Sequence, residues 1–276
     1  MKPAAFDYLR PADLDEALAA LHEHGTDAKV MAGGQSLMPM LNMRLLAPGL
    51  IVDISDLGSL ANIKASNGHI EVGAATTQAA LGEWPDLAEK APLLAKALPN
   101  IGHFQTRNRG TVCGSLAHSD PSSELPLCLA TLGGEVVLQS RGAARTVVAG
   151  DFQTAMLTTD CAPQEMVVAA RFPVAVAGAG YAFAEIARRH GDFAIVALAA
   201  MVDGDTIRLG VGGVADTPQV RTWQGLSGDA LDDALNAFAW EMGGSDDVHA
   251  TARYRREIVR RIGRKVIAEA TDAADR

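Results

Sequence analysis

The stretch VMAGGQSLMPMLNMRL, residues 30–45, limits the fold more than any other part of the sequence. A strand-like run enters the turn GGQS, residues 33–36, and continues into a Leu- and Met-rich run that favours a helix. Glycine lets the backbone approach a ligand closely, and the unpaired N–H groups at a helix start can bind an anion. A tight turn without a ligand fits equally, because the lysine of a P-loop and the spacing of a GxGxxG fingerprint are missing.

A second stretch of the same kind, TVCGSLAHSDPSSEL, occupies residues 111–125. Thr111, Gly114 and Ser115 offer backbone and hydroxyl donors. Glu124 stands where a carboxylate can accept a hydrogen bond from a sugar hydroxyl. Two such segments can hold a diphosphate from both sides, with amide dipoles in place of basic residues. Together the two stretches therefore favour a dinucleotide site, which neither predicts alone.

The composition narrows the class of protein. A net charge of −9 argues against a nucleic-acid partner. The longest apolar run, residues 194–202, is too short to span a bilayer, and no secretory signal is visible, so we expect a cytoplasmic protein without a membrane span. Cys113, Cys128 and Cys161 form no zinc-like set and are too few for a [2Fe–2S] cluster, which usually takes four thiolates. We therefore expect no metal on this chain.

The hydrophobic pattern predicts a mixed α/β or α+β chain of one or two domains. One helix is expected between a cap at Asp13 and a stop at Gly25, and Asp203-Gly204 is typical of a hairpin turn. The composition shifts to small residues after Phe172-Pro173, which places a domain boundary there. Further helices are expected at 93–98, 124–132, 229–242 and 252–270, and strands at KVMAG, GLIVDIS, HIEVGAAT, EVVLQS, ARTVVAG, EMVVAARFP, GYAFAEIARR and FAIVALAAMVDGDTIRLGVGGV.

Three ordered stretches resemble the FAD-binding medium subunit of the molybdenum hydroxylases: AGGQSLMPMLNMRL, RNRGTVCGSLAHSDPSSELP and FAEIARRHGDFAIV. That family includes the flavin part of xanthine dehydrogenase and the bacterial carbon monoxide dehydrogenase flavoprotein, and the resemblance covers nearly the whole chain. It implies an α+β fold with a two-lobed FAD-binding domain of the vanillyl-alcohol-oxidase (PCMH) type at 1–175, with lobes at about 1–55 and 56–175. A small C-terminal α+β domain, an antiparallel sheet with helices, would follow at 176–276.

The resemblance also implies which residues bind FAD. The first pyrophosphate loop would be Ala32, Gly33, Gly34, Gln35 and Ser36, the second Thr111, Val112, Cys113, Gly114 and Ser115, with Glu124, Ile101 and Val167 as further contacts. Two positions depart from the family. Cys113 stands where glycine is common, which puts close approach of the backbone to the phosphate in doubt. Ala184 and Glu185 stand where some members have a lysine near the flavin, so the flavin should be less readily reduced to an anionic form.

By the same resemblance, the chain is an oxidoreductase subunit that carries FAD and transfers electrons. A large subunit would hold the molybdopterin cofactor and a small subunit two [2Fe–2S] clusters, commonly as an (αβγ)2 assembly. This chain would pass the electrons to an external acceptor. Two alternatives remain open: a stand-alone FAD-dependent oxidase or reductase of the same fold, and a scaffold that has lost its cofactor.

Other polar and apolar residues near the cofactor segments receive simpler interpretations. His103 and His118 are expected to be polar loop residues. Met38, Met40 and Met43 stand at helical spacing and are expected to pack.

Overall fold

The computed structural model describes residues 2–275 and confirms the α+β fold class. The strands are β1 (Asp7–Leu9), β2 (Ala28–Met31), β3 (Leu50–Asp53), β4 (Ile63–Ser66), β5 (His69–Gly73), β6 (Glu135–Gln139), β7 (Ala144–Val148), β8 (Gln153–Ala155), β9 (Thr158–Thr159), β10 (Met166–Pro173), β11 (Gly180–Ile186), β12 (Val196–Asp203), β13 (Thr206–Gly212) and β14 (Gln219–Gln224). The helices are α1 (Leu14–His24), α2 (Leu37–Asn42), α3 (Gln78–Gly82), α4 (Leu87–Lys90), α5 (Pro92–Ala97), α6 (Phe104–Arg107), α7 (Val112–His118), α8 (Glu124–Leu132), α9 (Ala149–Phe152), α10 (Gly228–Glu241) and α11 (Ala252–Ala274).

The first sheet is parallel, with the strand order β1-β3-β2. Its central strand β3 is buried over all four residues, as expected for a strand covered on both faces. Helix α1 packs on this sheet, and the predicted cap and stop are confirmed: Asp13 accepts a hydrogen bond from the Glu16 N–H at 2.9 Å, and Gly25 ends the helix with φ +52°. Strand β1 was not predicted, because its three residues are largely exposed and carry no hydrophobic alternation.

The second sheet is antiparallel, with the order β4-β5-β10-β6-β7. Its middle strand β10 pairs with both β5 and β6, and its first five residues are buried. Helix α7 packs against β5 and β10, and α8 packs against α7. The start of α7 is therefore held by this sheet, while the turn after β2 belongs to the first sheet.

The third sheet, β11-β12-β13-β14, is antiparallel and has helices on both faces. On β12, Val196, Leu198 and Ala200 join the core with α10 and α11, while Ala197 and Ala199 face the core that contains α8. The predicted hairpin turn is confirmed, since β12 and β13 pair across it. Glycine at 210 allows α8 to lie close to the sheet: a Cβ there would be 1.9 Å from the Thr131 hydroxyl oxygen.

Two local expectations need correction. The run that begins at Thr111-Val112, expected to lead into a glycine-containing turn, is a helix over residues 112–118 that Thr111 caps. Met43 is 52% exposed, so the expectation that it packs is wrong, because α2 is short and buries only Leu41. Met38 and Met40 are half-buried. None of the helices within residues 2–275 combines the length and the apolar character needed to cross a bilayer.

Candidate functional site

The turn after β2 presents a row of free main-chain donors. Gly34 has φ +69°, a conformation that favours glycine. The side-chain amide of Gln35 donates to the Gly33 carbonyl oxygen at 3.1 Å. Within residues 2–275, the main-chain N–H groups of residues 33–36 donate no hydrogen bond to the protein. Because backbone N–H groups need partners, this turn is suited to an anionic ligand.

The second segment is the first turn of α7. The Thr111 hydroxyl oxygen accepts from the Gly114 N–H at 3.0 Å, and the Val112 N–H donates to the Thr76 carbonyl oxygen at 3.1 Å. The Ser115 N–H donates to the Thr111 carbonyl oxygen at 3.2 Å, so three amides of the segment are already engaged. The segment contributes fewer free N–H groups than the first one.

The two segments lie against each other. A Cβ at position 33 would be 2.0 Å from the Arg109 carbonyl oxygen and 2.8 Å from the Gly110 Cα. A Cβ at Gly114 would be 4.0 Å from that of Ala32. Glycines at 33 and 114 therefore bring the donors of both segments together at one place.

A cleft of about 630 Å³ opens at this place, within the usual range for a small-molecule or cofactor site. It is lined by all but two of the residues that the sequence assigned to the site: Ala32, Gly33, Gly34, Gln35, Ser36, Ile101, Thr111, Cys113, Gly114, Ser115, Glu124 and Val167. The exceptions are Val112, whose side chain is fully buried in the core, and Glu185 on β11.

The cysteine that departs from the family pattern does not obstruct the cleft with its side chain. The Cys113 thiol points to β5 and donates to the Val72 carbonyl oxygen at 3.4 Å. It is 2% exposed, and burial raises its pKa to about 12, so it stays protonated. The backbone at this position therefore remains able to approach a ligand.

Two carboxyl groups lie near the start of α8. Glu124 is 7% exposed, and burial, with smaller contributions from Glu185 and Asp120, raises its pKa to about 8. Burial also raises the pKa of Glu185 to about 7, and its buried Oε2 finds no hydrogen-bond partner in the described part of the chain. At neutral pH Glu124 is largely a neutral acid, which can both donate and accept a hydrogen bond.

Several lining residues were not found from the sequence. Gln78, at the start of α3, lines the cleft beside the second segment. Leu157 also lines it, with φ +54°, and its N–H donates to the Ser119 carbonyl oxygen at 3.0 Å. Phe193 lines it while remaining 68% exposed. No local pattern marks these positions, because a helix start, a hairpin and a loop that are far apart in the sequence bring them together.

The two histidines near the site differ in position. His118 lines the cleft at the end of α7. The His103 ring lies 6.2 Å from the His190 ring, in an edge-on arrangement. Next to His190, Asp192 pairs with Arg188 at 2.9 Å. Within residues 2–275, His, Cys, Asp and Glu side chains form no group of three that could hold a metal ion.

Known protein families match this chain over nearly its whole length. A family model described as the FAD binding domain in molybdopterin dehydrogenase matches residues 4–175, and one described as the CO dehydrogenase flavoprotein C-terminal domain matches residues 181–270. The 6-hydroxypseudooxynicotine dehydrogenase complex subunit alpha of Paenarthrobacter nicotinovorans is 35% identical, over 99% of this chain and 97% of the relative.

Two solved structures have the same fold. One chain of reconstituted CO dehydrogenase from Oligotropha carboxidovorans superposes with a TM-score of 0.94 at 32% identity, over 99% of this chain and 100% of that one. One chain of quinoline 2-oxidoreductase from Pseudomonas putida 86 superposes with a TM-score of 0.92 at 32% identity, over 99% of both chains.

Proposed function

This chain belongs to the family of FAD-binding subunits of molybdenum hydroxylases, and on that premise we propose that it takes electrons from [2Fe–2S] clusters of a partner subunit and passes them to an external acceptor. The chain is an oxidoreductase subunit, as the sequence resemblance predicted. Bound FAD would supply the redox chemistry, while the protein binds and orients it and excludes water.

One observation supports this proposal above the others. Residues 33–36, whose main-chain N–H groups donate to no protein atom within residues 2–275, line a cleft that the first turn of α7 also lines, and a side chain at Gly33 would collide with the main chain of Arg109 and Gly110. This cradle fits a diphosphate, whose charge amide dipoles can neutralise. We assign the diphosphate to the segments 32–36 and 111–115, in which Val112 contributes main chain only.

The remaining assigned residues would contact the rest of the cofactor. Ile101 and Val167 offer apolar surface in the cleft, and Glu124 can accept from a sugar hydroxyl. Glu185 does not line the cleft, so we assign it an electrostatic effect on the reduction of the flavin and no direct contact with the cofactor.

We also propose the assembly in which the chain works and the cell compartment that contains it. Partners are a large molybdopterin-binding subunit and a small [2Fe–2S] subunit, in an (αβγ)2 complex. We assign residues 1–175 to an FAD-binding domain and residues 176–276 to a C-terminal domain. The four-stranded sheet of the second domain packs one face into a hydrophobic cluster with α10 and α11 and the other face against α8. Three unpaired cysteines suit a cytoplasmic location, where thiols stay reduced.

The test compares the chain alone with the native complex. The isolated full chain should bind one FAD and hydroxylate no substrate, whereas the complex purified through this chain should contain two further subunits with iron, sulfur and molybdenum. In the complex, substrate should reduce the flavin, and an added acceptor should reoxidise it. A chain that binds no FAD would contradict the proposal, and one that oxidises a substrate by itself would support the stand-alone oxidase instead.

A further inference from the structure

The main chain of Gln78 is fixed beside the second diphosphate segment. Its N–H donates to the Gly110 carbonyl oxygen at 2.8 Å, and Thr77 pairs with Thr111 in an isolated bridge. The Val112 N–H donates to the Thr76 carbonyl oxygen at 3.1 Å. These bonds involve only backbone atoms. Replacing the Gln78 side chain should therefore leave the segment in place.

The side chain of Gln78 has an unmet hydrogen-bonding need. Gln78 is 5% exposed and lines the cleft, and its buried Oε1 has no hydrogen-bond partner among residues 2–275. This oxygen lies close to Gly110, where a Cβ would be 3.2 Å away. Buried polar atoms in native proteins nearly always have a partner, and leaving one without is costly. A ligand bound in the cleft would supply the hydrogen-bond donor that this oxygen lacks.

We propose that Gln78 is a further binding residue for the flavin dinucleotide and accepts a hydrogen bond from a hydroxyl group of the ribityl chain. This inference rests on the proposed function. The unpartnered atom is an acceptor, so its partner must donate, and a diphosphate at neutral pH offers only acceptors. The hydroxyl groups that flank the diphosphate are donors.

The position of Gln78 agrees with this assignment. Gly110, which touches the Gln78 carboxamide, also lies against Gly33, so Gln78 is adjacent to the junction of the two segments. Glu124, which also lines the cleft, is assigned above to a sugar hydroxyl. The ribityl chain is the other hydroxyl-bearing part of the cofactor next to the diphosphate, and Gln78 is assigned to it.

The test uses Gln78→Met in the full chain, which keeps the length of the side chain and removes the acceptor. Dissociation constants for FAD and for ADP, which lacks the ribityl chain, are measured by titration calorimetry on the apoprotein. FAD should bind about tenfold more weakly, as expected for one lost hydrogen bond, and ADP should bind as before. The Tm of the apoprotein should stay equal or rise, because an unpartnered buried oxygen is removed.

A purely structural glutamine would behave differently: its loss would lower the Tm and weaken FAD and ADP together. Gln219→Met is the matched control, since Gln219 begins β14, its carboxamide bonds to Thr217 and it does not line the cleft. It should change neither affinity. If Gln78→Met binds FAD as tightly as the wild type, or loses the same affinity for FAD and for ADP, the role of Gln78 is overturned and the proposed function is not. A wild-type chain that binds no FAD would overturn the proposed function and the inference together.

Discussion

Gly33 lies directly against the main chain of Arg109, so closely that a Cβ at position 33 would be 2.0 Å from the Arg109 carbonyl oxygen. A Cβ atom essentially never comes within 3.0 Å of a heavy atom outside its own residue and the two residues bonded to it. The absence of a side chain at this one position therefore allows the two segments to lie against each other.

Gly33→Ala is expected to force the two segments apart. The overpacking should lower the free energy of unfolding by about 1–3 kcal/mol and weaken FAD binding at least tenfold, because donors from both segments no longer converge. Chemical denaturation and FAD titration of the full chain measure the two effects.

Gly150→Ala provides the control for this prediction. Position 150 lies in α9, and a Cβ there would have no heavy atom of the described residues, 2–275, within 4 Å beyond its own chain neighbours and helix backbone. Alanine should be neutral or stabilise the fold by up to about 1 kcal/mol, and FAD should bind as in the wild type. Unchanged FAD affinity in Gly33→Ala would mean that the contact with Arg109 does not set the geometry of the site.

Cys113→Ala is expected to leave FAD binding unchanged. The thiol points away from the cleft toward the Val72 carbonyl oxygen, so its removal affects only the core. Loss of a small buried side chain and a weak hydrogen bond should lower the free energy of unfolding by about 1 kcal/mol. Measured by the same titration, an FAD affinity that rises severalfold would instead show that the side chain restricts the backbone at the phosphate.

Glu124 should make the apoprotein less stable as the pH rises. Its pKa is about 8 in the folded chain, against an ordinary value of 4.5. Between these pH values the folded state keeps a proton that the unfolded state has lost. The contribution of this proton to the free energy of unfolding is therefore complete below pH 4.5 and is lost as the pH rises through 8.

Glu124→Gln tests this dependence, because the amide is neutral at every pH. The variant should match the wild type near pH 5 and exceed its free energy of unfolding by roughly 2–4 kcal/mol at pH 8.5. Denaturant titrations of the apoprotein at both pH values give the difference. If the difference between the two proteins is the same at pH 5 and at pH 8.5, Glu124 does not ionise as its burial indicates.

The sequence predicted the fold where a local signal was strong. The cap at Asp13, the turn at Asp203-Gly204 and the helix at 124–132 each depend on residues close together in the chain, and all are confirmed. The short strand β1 and the helical state of 112–118 were missed. In both cases the deciding contacts are long-range: β1 exists only through pairing with β3, and α7 packs on β5 and β10.

The site follows the same rule. Glycines 33, 34 and 114 were recognisable because glycines beside a helix start are a local sequence pattern that favours anion binding. Gln78 and Leu157 line the same cleft without any such mark. Their positions depend on the pairing of Thr77 with Thr111 and on the bond from Leu157 to Ser119, which only the folded chain brings together.

Glu185→Lys should raise the midpoint potential of the bound flavin. The carboxyl group at this position is half-buried with a pKa of about 7, so above pH 7 its negative charge opposes formation of an anionic reduced flavin. An ammonium group reverses that effect. We expect a rise of about 30 mV at pH 8, equivalent to about 1.4 kcal/mol for a two-electron couple, measured by redox titration of the complex. Glu185→Gln should give a smaller rise that vanishes near pH 6, and equal potentials in all three proteins would dismiss any electrostatic action of this residue on the flavin.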